Sequence, residues 1–160
     1  MILRTGRLEV ELLGSRARFA GRIDDAVHLA EVGHLLPGGD VTLDLAGVAF
    51  VNSIGMRAWV RLIRSLRERG AVTLEAVSDV LIVAMNLVAE FRGAVRIASF
   101  HAGYACPGCG REATLLVDVA AHAGELAARR LPAQPCPECG GAMEPADFAE
   151  RYTSIFAPPM

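Results

Sequence analysis

Lysine is absent from this sequence, and all sixteen basic residues are arginine. We attribute this to the base composition of the genome rather than to a phosphate-binding role. Eighteen acidic residues bring the formal charge to −2 at pH 7. This balance argues against a nucleic acid as the partner, because proteins that bind nucleic acids carry strongly basic surfaces.

A long apolar run is also lacking. The longest one, from Val80 to Val88, is interrupted by Asn86 and is far shorter than the roughly 20 residues of a membrane span. No signal peptide is visible, because Arg4 and Arg7 interrupt the start and no long apolar region follows. We therefore expect a cytoplasmic protein that has no membrane partner.

The motifs of several enzyme classes are missing. The sequence has no Gly-x-Ser-x-Gly turn, no phosphate-binding loop, no dinucleotide-binding glycine pattern, and no Cys/His pair beyond one C-terminal set of cysteines. Ser53, which follows an apolar strand, has no evident general base, and a hydroxyl without one is a weak nucleophile. We therefore expect no enzymatic activity.

Strand-like and helix-like patterns alternate from residue ~5 to residue ~100. A chain of strands alternating with helices predicts an α/β fold with a mixed, mostly parallel sheet and one antiparallel hairpin. We expect Asp24 to cap the first helix and Gly93 to end the third. The predicted elements are strands 7–13 and 16–23, helix 25–36, strand 41–45 resuming at 48–51 after a break at Gly47, helix 54–69, strand 71–77, helix 80–91 and strand 94–100.

The helix over 54–69 is the most regular of these elements. Asn52 and Ser53 offer two candidate N-cap residues in succession, and Gly70 follows the helix at a position typical of C-terminal caps. Apolar residues recur at helical spacing along one face, and arginines fill the other. The apolar face comprises Met56, Trp59, Val60, Ile63 and Leu66, and the basic face comprises Arg57, Arg61, Arg64, Arg67 and Arg69.

This region resembles the signature of STAS domains, the fold of bacterial anti-sigma factor antagonists and of sulfate-transporter tails. Their pattern is an apolar strand ending in Asp-Leu, then Phe-x-Asp-Ser-Ser-Gly-Leu opening a helix. The matching segments are Asp44-Leu45 and Phe50-Val51-Asn52-Ser53-Ile54-Gly55-Met56, and the Gly-x-Ile-Asp of residues 21–24 is also similar to the family. The resemblance implies a STAS-like domain over residues 1–100.

The serine that family members phosphorylate matches Ser53, while Asn52 and Ile54 replace the Asp before it and the Ser after it. The resemblance implies a regulatory protein whose dephosphorylated form binds an anti-sigma kinase and is released by phosphorylation. The expected partner surface comprises Asn52, Ser53, Arg57 and Arg61, and the partner is this kinase or another signalling protein. A second copy of the chain is a further candidate partner.

Other interpretations remain open for Ser53. Its oxygen could simply cap the helix, and Asn52 could serve equally. The chain could also be a phosphorylation-independent adaptor that binds its partner through the C-terminal segment. A third hypothesis, a small-ligand-binding STAS domain, requires a pocket that the sequence does not reveal.

All four cysteines lie in two Cys-x-x-Cys-Gly motifs in the C-terminal segment 101–160. The first motif holds Cys106 and Cys109, the second holds Cys136 and Cys139, and 26 residues separate them. Each motif can present two thiolates from one tight turn, and four thiolates close a tetrahedral coordination sphere. These motifs resemble zinc ribbons, and we expect a small ribbon with structural zinc. Disulfides, a redox pair and an iron–sulfur cluster are weaker alternatives.

The remainder of this segment is divided into a strand, an insertion and a tail. Residues 114–119 are a plausible ribbon strand, and residues 122–135 are expected to be an insertion. In the tail, Phe148, Tyr152, Ile155 and Phe156 recur at helical spacing. We expect a helix that packs back onto the ribbon or the sheet, with a partner-binding helix as the alternative.

Overall fold

Six strands form the larger sheet of the computed structural model, which describes residues 1–91 and 94–158. The first two pairs of neighbouring strands are antiparallel and the next three are parallel. The predicted mixed, mostly parallel sheet is therefore confirmed. The sequence predicted one antiparallel hairpin, but an additional first strand pairs with that hairpin and makes a second antiparallel pair. The strands, in spatial order, are β1 (Ile2–Thr5), β2 (Leu8–Leu13), β3 (Arg16–Ile23), β4 (Val41–Val51), β5 (Val72–Glu75) and β6 (Arg96–Ile97).

Three helices follow the strands of this sheet: α1 (Leu29–Leu35), α2 (Ser53–Arg67) and α3 (Asp79–Asn86). The predicted amphipathic pattern of α2 is confirmed, since Trp59 is fully buried against the sheet and meets Phe19 edge-to-face at 5.6 Å between ring centroids. The third helix ends earlier than predicted, and its expected terminator Gly93 lies outside the described residues.

The first helix was predicted to begin after Asp24 but begins at Leu29. Asp24 closes a local turn instead, because its Oδ1 atom accepts a hydrogen bond from the backbone N–H of Ala26 at 3.0 Å. The pKa of the Asp24 carboxyl is lowered, first by this N–H and then by Arg22. The buried face of α1 carries Leu29 and Val32.

Two glycines act differently from what the sequence predicts. Gly47 does not break β4, which continues to Val51 past an irregular register with β3. A Cβ at Gly47 would lie 2.8 Å from the Cβ of Ala20, so glycine permits the close approach of the two strands there. Gly70 lies beyond the helix cap, and a Cβ there would lie 2.3 Å from the carbonyl carbon of Gly39. Its role is therefore close backbone packing.

A second sheet of four antiparallel strands contains the C-terminal segment. The single strand predicted over 94–100 is wrong, because β6 ends at Ile97 and a strand of the second sheet begins at Ser99 and continues past residue 100. This strand is joined to the larger sheet, because the backbone N–H of His101 donates to the carbonyl of Val77 at 2.7 Å. In spatial order the strands are β8 (Glu112–Asp118), β7 (Ser99–Ala105), β10 (Ala142–Pro145) and β9 (Gln134–Pro135); the helices of this segment are α4 (Ala123–Ala127) and α5 (Glu150–Thr153).

The tail packs back against the larger sheet domain. Tyr152 and Ile155 are buried, while Phe148 is 77% exposed, so the predicted stripe is only partly apolar core. The side chain of Asn86 on α3 donates to the carbonyl of Tyr152 at 3.1 Å and accepts from the backbone N–H of Ile155 at 2.6 Å. Across the described ranges 1–91 and 94–158, no helix combines the length and the apolar character needed to cross a membrane.

Candidate functional site

The four cysteines converge at the ends of two hairpins. Their sulfur atoms all lie within 4.8 Å of one another, with 3.5 Å between Cys106 and Cys139 and 3.7 Å between Cys109 and Cys136. Four sulfurs placed tetrahedrally at about 2.3 Å from an ion lie about 3.8 Å apart. The cluster therefore has the dimensions of a four-sulfur metal site.

Each hairpin supplies its two cysteines from a turn of the same construction. In the first turn, the backbone N–H of Cys106 donates to the carbonyl of Arg111 at 2.8 Å, and the N–H of Gly110 donates to the carbonyl of Cys106 at 2.8 Å. Gly110 has a φ of 77°. The sequence predicted this left-handed backbone for the glycine after each second cysteine, and glycine adopts it without steric cost.

The second turn repeats these contacts. The N–H of Cys136 donates to the carbonyl of Gly141 at 2.7 Å, and the N–H of Gly140 donates to the carbonyl of Cys136 at 2.9 Å. Gly140 has a φ of 74°. The first turn joins β7 to β8 and the second joins β9 to β10, so antiparallel pairing of β7 with β10 brings the two turns together.

The surroundings shift the pKa values of two of the four thiols in opposite directions. The backbone N–H of Cys139, followed by that of Glu138, lowers the pKa of the Cys136 thiol to about 7. At Cys109, the N–H of Arg111 also favours the thiolate, but desolvation and the sulfurs of the other three cysteines together raise the pKa to about 12. Metal ions bind thiolates rather than thiols, so a bound cation would displace the protons of the four sulfurs.

No histidine or carboxylate within the described residues joins the cysteine cluster. His122, for example, lies beside Glu125, with 3.5 Å between Nδ1 and Oε1. Cys106 and Cys136 are buried, whereas Cys109 and Cys139 are exposed. The cluster can hold one metal ion with four sulfur ligands, which leaves no ligand position for a substrate.

The predicted insertion forms part of this fold. It contains α4, and both Leu126 and Leu131 are buried. The buried hydroxyl of Tyr104, two residues before the first ligand, donates to the carbonyl of Pro132 at 2.8 Å. The insertion therefore contacts β7 close to the first cysteine turn.

Only one of the two candidate N-cap residues caps α2. Asn52 is the N-cap, and its Oδ1 accepts from the backbone N–H of Gly55 at 2.8 Å. Ser53 is the first helical residue and is exposed, and Ile54 beside it is 56% exposed. Ser53 therefore does not cap this helix, and its hydroxyl lies at an open surface.

Gly55 is buried beside Ser53 and allows the start of α2 to pack closely against the end of β3. A Cβ at this position would lie 1.9 Å from the carbonyl oxygen of Ile23, at the end of β3. The backbone N–H of Asn52 donates to that same oxygen at 3.2 Å. In the sequence, Gly55 stands out only as part of the STAS-like pattern. Its packing role depends on Ile23, which is distant in the chain, so no local pattern indicates it.

Exposed arginines follow Ser53 along α2. Arg57 and Arg61 are exposed one and two turns along α2. On the adjacent strand ends, the guanidinium of Arg22 lies over the ring of Phe50, 3.7 Å from its centroid. Of the four predicted surface residues, Ser53, Arg57 and Arg61 are exposed on α2, while Asn52 is half-buried directly before the helix.

Comparison with known proteins adds no assignment to these features. The chain matches no protein-family model and no curated protein sequence. The resemblance of residues 44–56 to the STAS signature therefore stays a prediction.

Proposed function

We propose that this chain is a non-enzymatic regulatory protein, similar to an anti-sigma factor antagonist, that binds a signalling protein through the surface around Ser53. The proposal also assigns a zinc ion to Cys106, Cys109, Cys136 and Cys139. In this hypothesis the zinc stabilises the C-terminal fold and takes no part in chemistry, because four thiolates occupy its whole coordination sphere.

The exposure of Ser53 is the observation that carries the proposal. Asn52 accepts the capping hydrogen bond at 2.8 Å, so the serine hydroxyl is not needed to begin the helix. An exposed hydroxyl at the first helical position can be reached by a kinase or by a partner. A serine buried beneath the C-terminal segment would have favoured the adaptor hypothesis instead.

Phosphorylation of Ser53 would change the partner surface without unfolding it. A phosphoryl group taken from a nucleoside triphosphate would replace the hydroxyl proton and add a charge of roughly −2. The helix N-terminus stabilises such an anion through its free N–H groups. Because Arg57 and Arg61 are exposed on the same helix, the added charge would alter the field that a partner meets.

Zinc is the metal that best fits the cysteine cluster. Thiolate ligands are soft and favour zinc among the common tetrahedral ions, and the sulfur separations of 3.5 and 3.7 Å suit its bond lengths. A closed site in short hairpins with small cores is typical of structural zinc.

The test compares the intact protein with four variants in affinity capture from its own cell extract, with the captured protein identified and its binding remeasured in purified form. We expect Ser53→Asp to lose the partner, while Ser53→Ala retains it. Ser65→Asp is the matched control, because Ser65 is an exposed serine on the same helix. Aspartate at the first helical position favours the helix, so loss of binding by Ser53→Asp would not reflect unfolding.

The fourth variant, Cys136→Ser/Cys139→Ser, distinguishes the adaptor hypothesis. The exposed sulfurs of Cys109 and Cys139 and the half-exposed Leu116 on β8 offer a second surface. If only the cysteine variant loses the partner while both Ser53 variants retain it, the C-terminal segment carries the interaction. The proposal around Ser53 would then be wrong.

A further inference from the structure

A pocket separates α1 from α2 on the helical side of the sheet. Its volume is about 410 Å³, within the range of about 300–1,000 Å³ that is common for small-molecule sites. The floor is apolar and consists of the side chains of Val27, Leu29, Ala58 and Leu62. Three of these, Val27, Leu29 and Leu62, belong to the buried core of the larger sheet domain.

The rim of this pocket is polar and basic. His34 on α1 and His28, which directly precedes α1, border the pocket on one side. Arg61 and Ser65 of α2 border it on the other. None of the ten lining residues carries a carboxylate. Within residues 1–91 and 94–158, neither Arg61 nor either of these histidines forms an ion pair. The guanidinium of Arg61 is therefore available to an anion.

Both ends of α1 are fixed, so the walls of the pocket are preformed. At the start, the Oγ1 atom of Thr5 accepts a hydrogen bond from the backbone N–H of His28 at 2.6 Å. At the end, the guanidinium of Arg69 donates to the carbonyls of Gly33 at 2.7 Å and Leu36 at 3.3 Å. A preformed pocket loses less conformational entropy on binding.

The two helices touch closely at one point of the pocket. A Cβ at Gly33 would lie 3.2 Å from the Cδ1 atom of Leu62. Glycine therefore allows α1 to approach α2 at this point, while the small side chains of Ala30 and Ala58 leave the neighbouring space open. The pocket is thus bounded by side-chain size on facing helices, a property that single substitutions can change.

We propose that this pocket binds a small organic anion with a compact apolar body, such as an aromatic carboxylate. The apolar body would lie on Leu29, Ala58 and Leu62, and the anionic group would accept hydrogen bonds from Arg61, with the imidazoles nearby. The absence of an acidic rim residue selects an anion over a cation. This inference does not depend on Ser53 or on the metal ion proposed for the four cysteines.

A matched pair of probes tests the charge requirement: naphthalene-2-carboxylate and the neutral 2-naphthalenemethanol, titrated into the ¹⁵N-labelled full chain. We expect the carboxylate to bind about tenfold more tightly, because a charge-assisted hydrogen bond contributes at least about that factor in affinity. Its shifts should map to the amides of Ala30, Gly33, Ser65 and their neighbours.

Three variants complete the test. Arg61→Gln should weaken carboxylate binding about tenfold and leave the alcohol unaffected. Arg67→Gln is the control, because it removes an exposed arginine of the same helix that does not line this pocket. Ala58→Leu should fill the floor and abolish binding of both probes, with retained circular dichroism and an unchanged pattern of amide signals away from the pocket showing that the variant is folded.

Four results would overturn the inference. These are no carboxylate binding up to millimolar concentration, equal affinity for the two probes, unchanged carboxylate affinity in Arg61→Gln, or shifts that map outside α1 and α2. Loss of partner binding by Ser53→Asp would not bear on it. The pocket and the surface around Ser53 share Arg61, but probe titration measures the first and capture with Ser53→Asp measures the second, so the two proposals can fail separately.

Discussion

The side-chain oxygen of Asn52 accepts a hydrogen bond from the backbone N–H of Gly55 across 2.8 Å. This bond satisfies one of the free donors at the start of α2. Because Asn52 performs this role, Ser53 can be substituted without loss of the cap. The hydroxyl of Ser53 is therefore not required for the start of this helix.

Asn52→Ala should lower the free energy of unfolding by about 1 kcal/mol, the usual cost of removing an N-cap side chain. Asn52→Asp should retain the cap, because a carboxylate oxygen accepts the same hydrogen bond and suits the helix N-terminus. Ser53→Ala is the control and should change the stability by less than about 0.5 kcal/mol. Urea unfolding measures the stability of all three variants. If Ser53→Ala lost as much stability as Asn52→Ala, the assignment of Asn52 as the cap would be wrong.

Gly55→Ala should destabilise the protein by about 3 kcal/mol or more, or prevent folding. The new Cβ would lie 1.9 Å from the carbonyl oxygen of Ile23, and neither backbone can move without disturbing the sheet. Gly124→Ala is the matched control, since nothing lies within 4 Å of a Cβ there. Alanine in that helix should stabilise by up to about 1 kcal/mol. Thermal unfolding of both variants checks the contrast.

The purified protein should contain one zinc ion per chain, as one closed four-thiolate site requires. Removing the ion with a chelator, or Cys136→Ser, should increase amide exchange in both cysteine turns and around Tyr104. His122→Ala is the control and should retain the metal, because His122 lies outside the cluster.

Protons compete with the ion for the thiolates, so metal affinity should fall as the pH falls. A full metal content in Cys136→Ser would contradict the assigned ligand set.

Asn86→Ala should release the tail and lower the free energy of unfolding by about 2–3 kcal/mol. The substitution leaves the backbone N–H of Ile155 and the carbonyl of Tyr152 without their hydrogen-bond partner, and unpaired polar groups at a packed site destabilise the fold. Limited proteolysis should then cleave the chain after α5 begins. Phe148→Ala, which truncates a side chain that is 77% exposed, should leave both stability and cleavage unchanged.

Local patterns were sufficient for β2, β3 and the buried face of α2. The alternation over β2 and β3 and the helical spacing of Trp59 and Ile63 reflect side chains that face one core, so the pattern itself carries the information. The cysteine turns were equally readable, because Cys-x-x-Cys-Gly encodes both the ligands and the left-handed glycine within five residues.

Features that depend on contacts between distant residues required the tertiary structure. Asp24 was a plausible helix cap by type, but its hydrogen bond to Ala26 and that of Thr5 to His28 delay the start of α1. Gly47 and Gly70 suggested a break and a cap, yet both serve close approaches to backbone elsewhere in the chain. The sequence could not distinguish these roles, because the partner atoms are remote in the chain.

The sequence by itself determined the alternation of strands and helices, the two motifs whose four cysteines cluster and the candidate serine. Only the tertiary structure decided that Asn52 rather than Ser53 caps α2, that Asn86 holds the tail, and that a basic-rimmed pocket lies between α1 and α2. The physical reason is the range of the interactions. Periodicity and turn motifs act over a few residues, whereas burial, exposure and pocket shape depend on where distant segments meet.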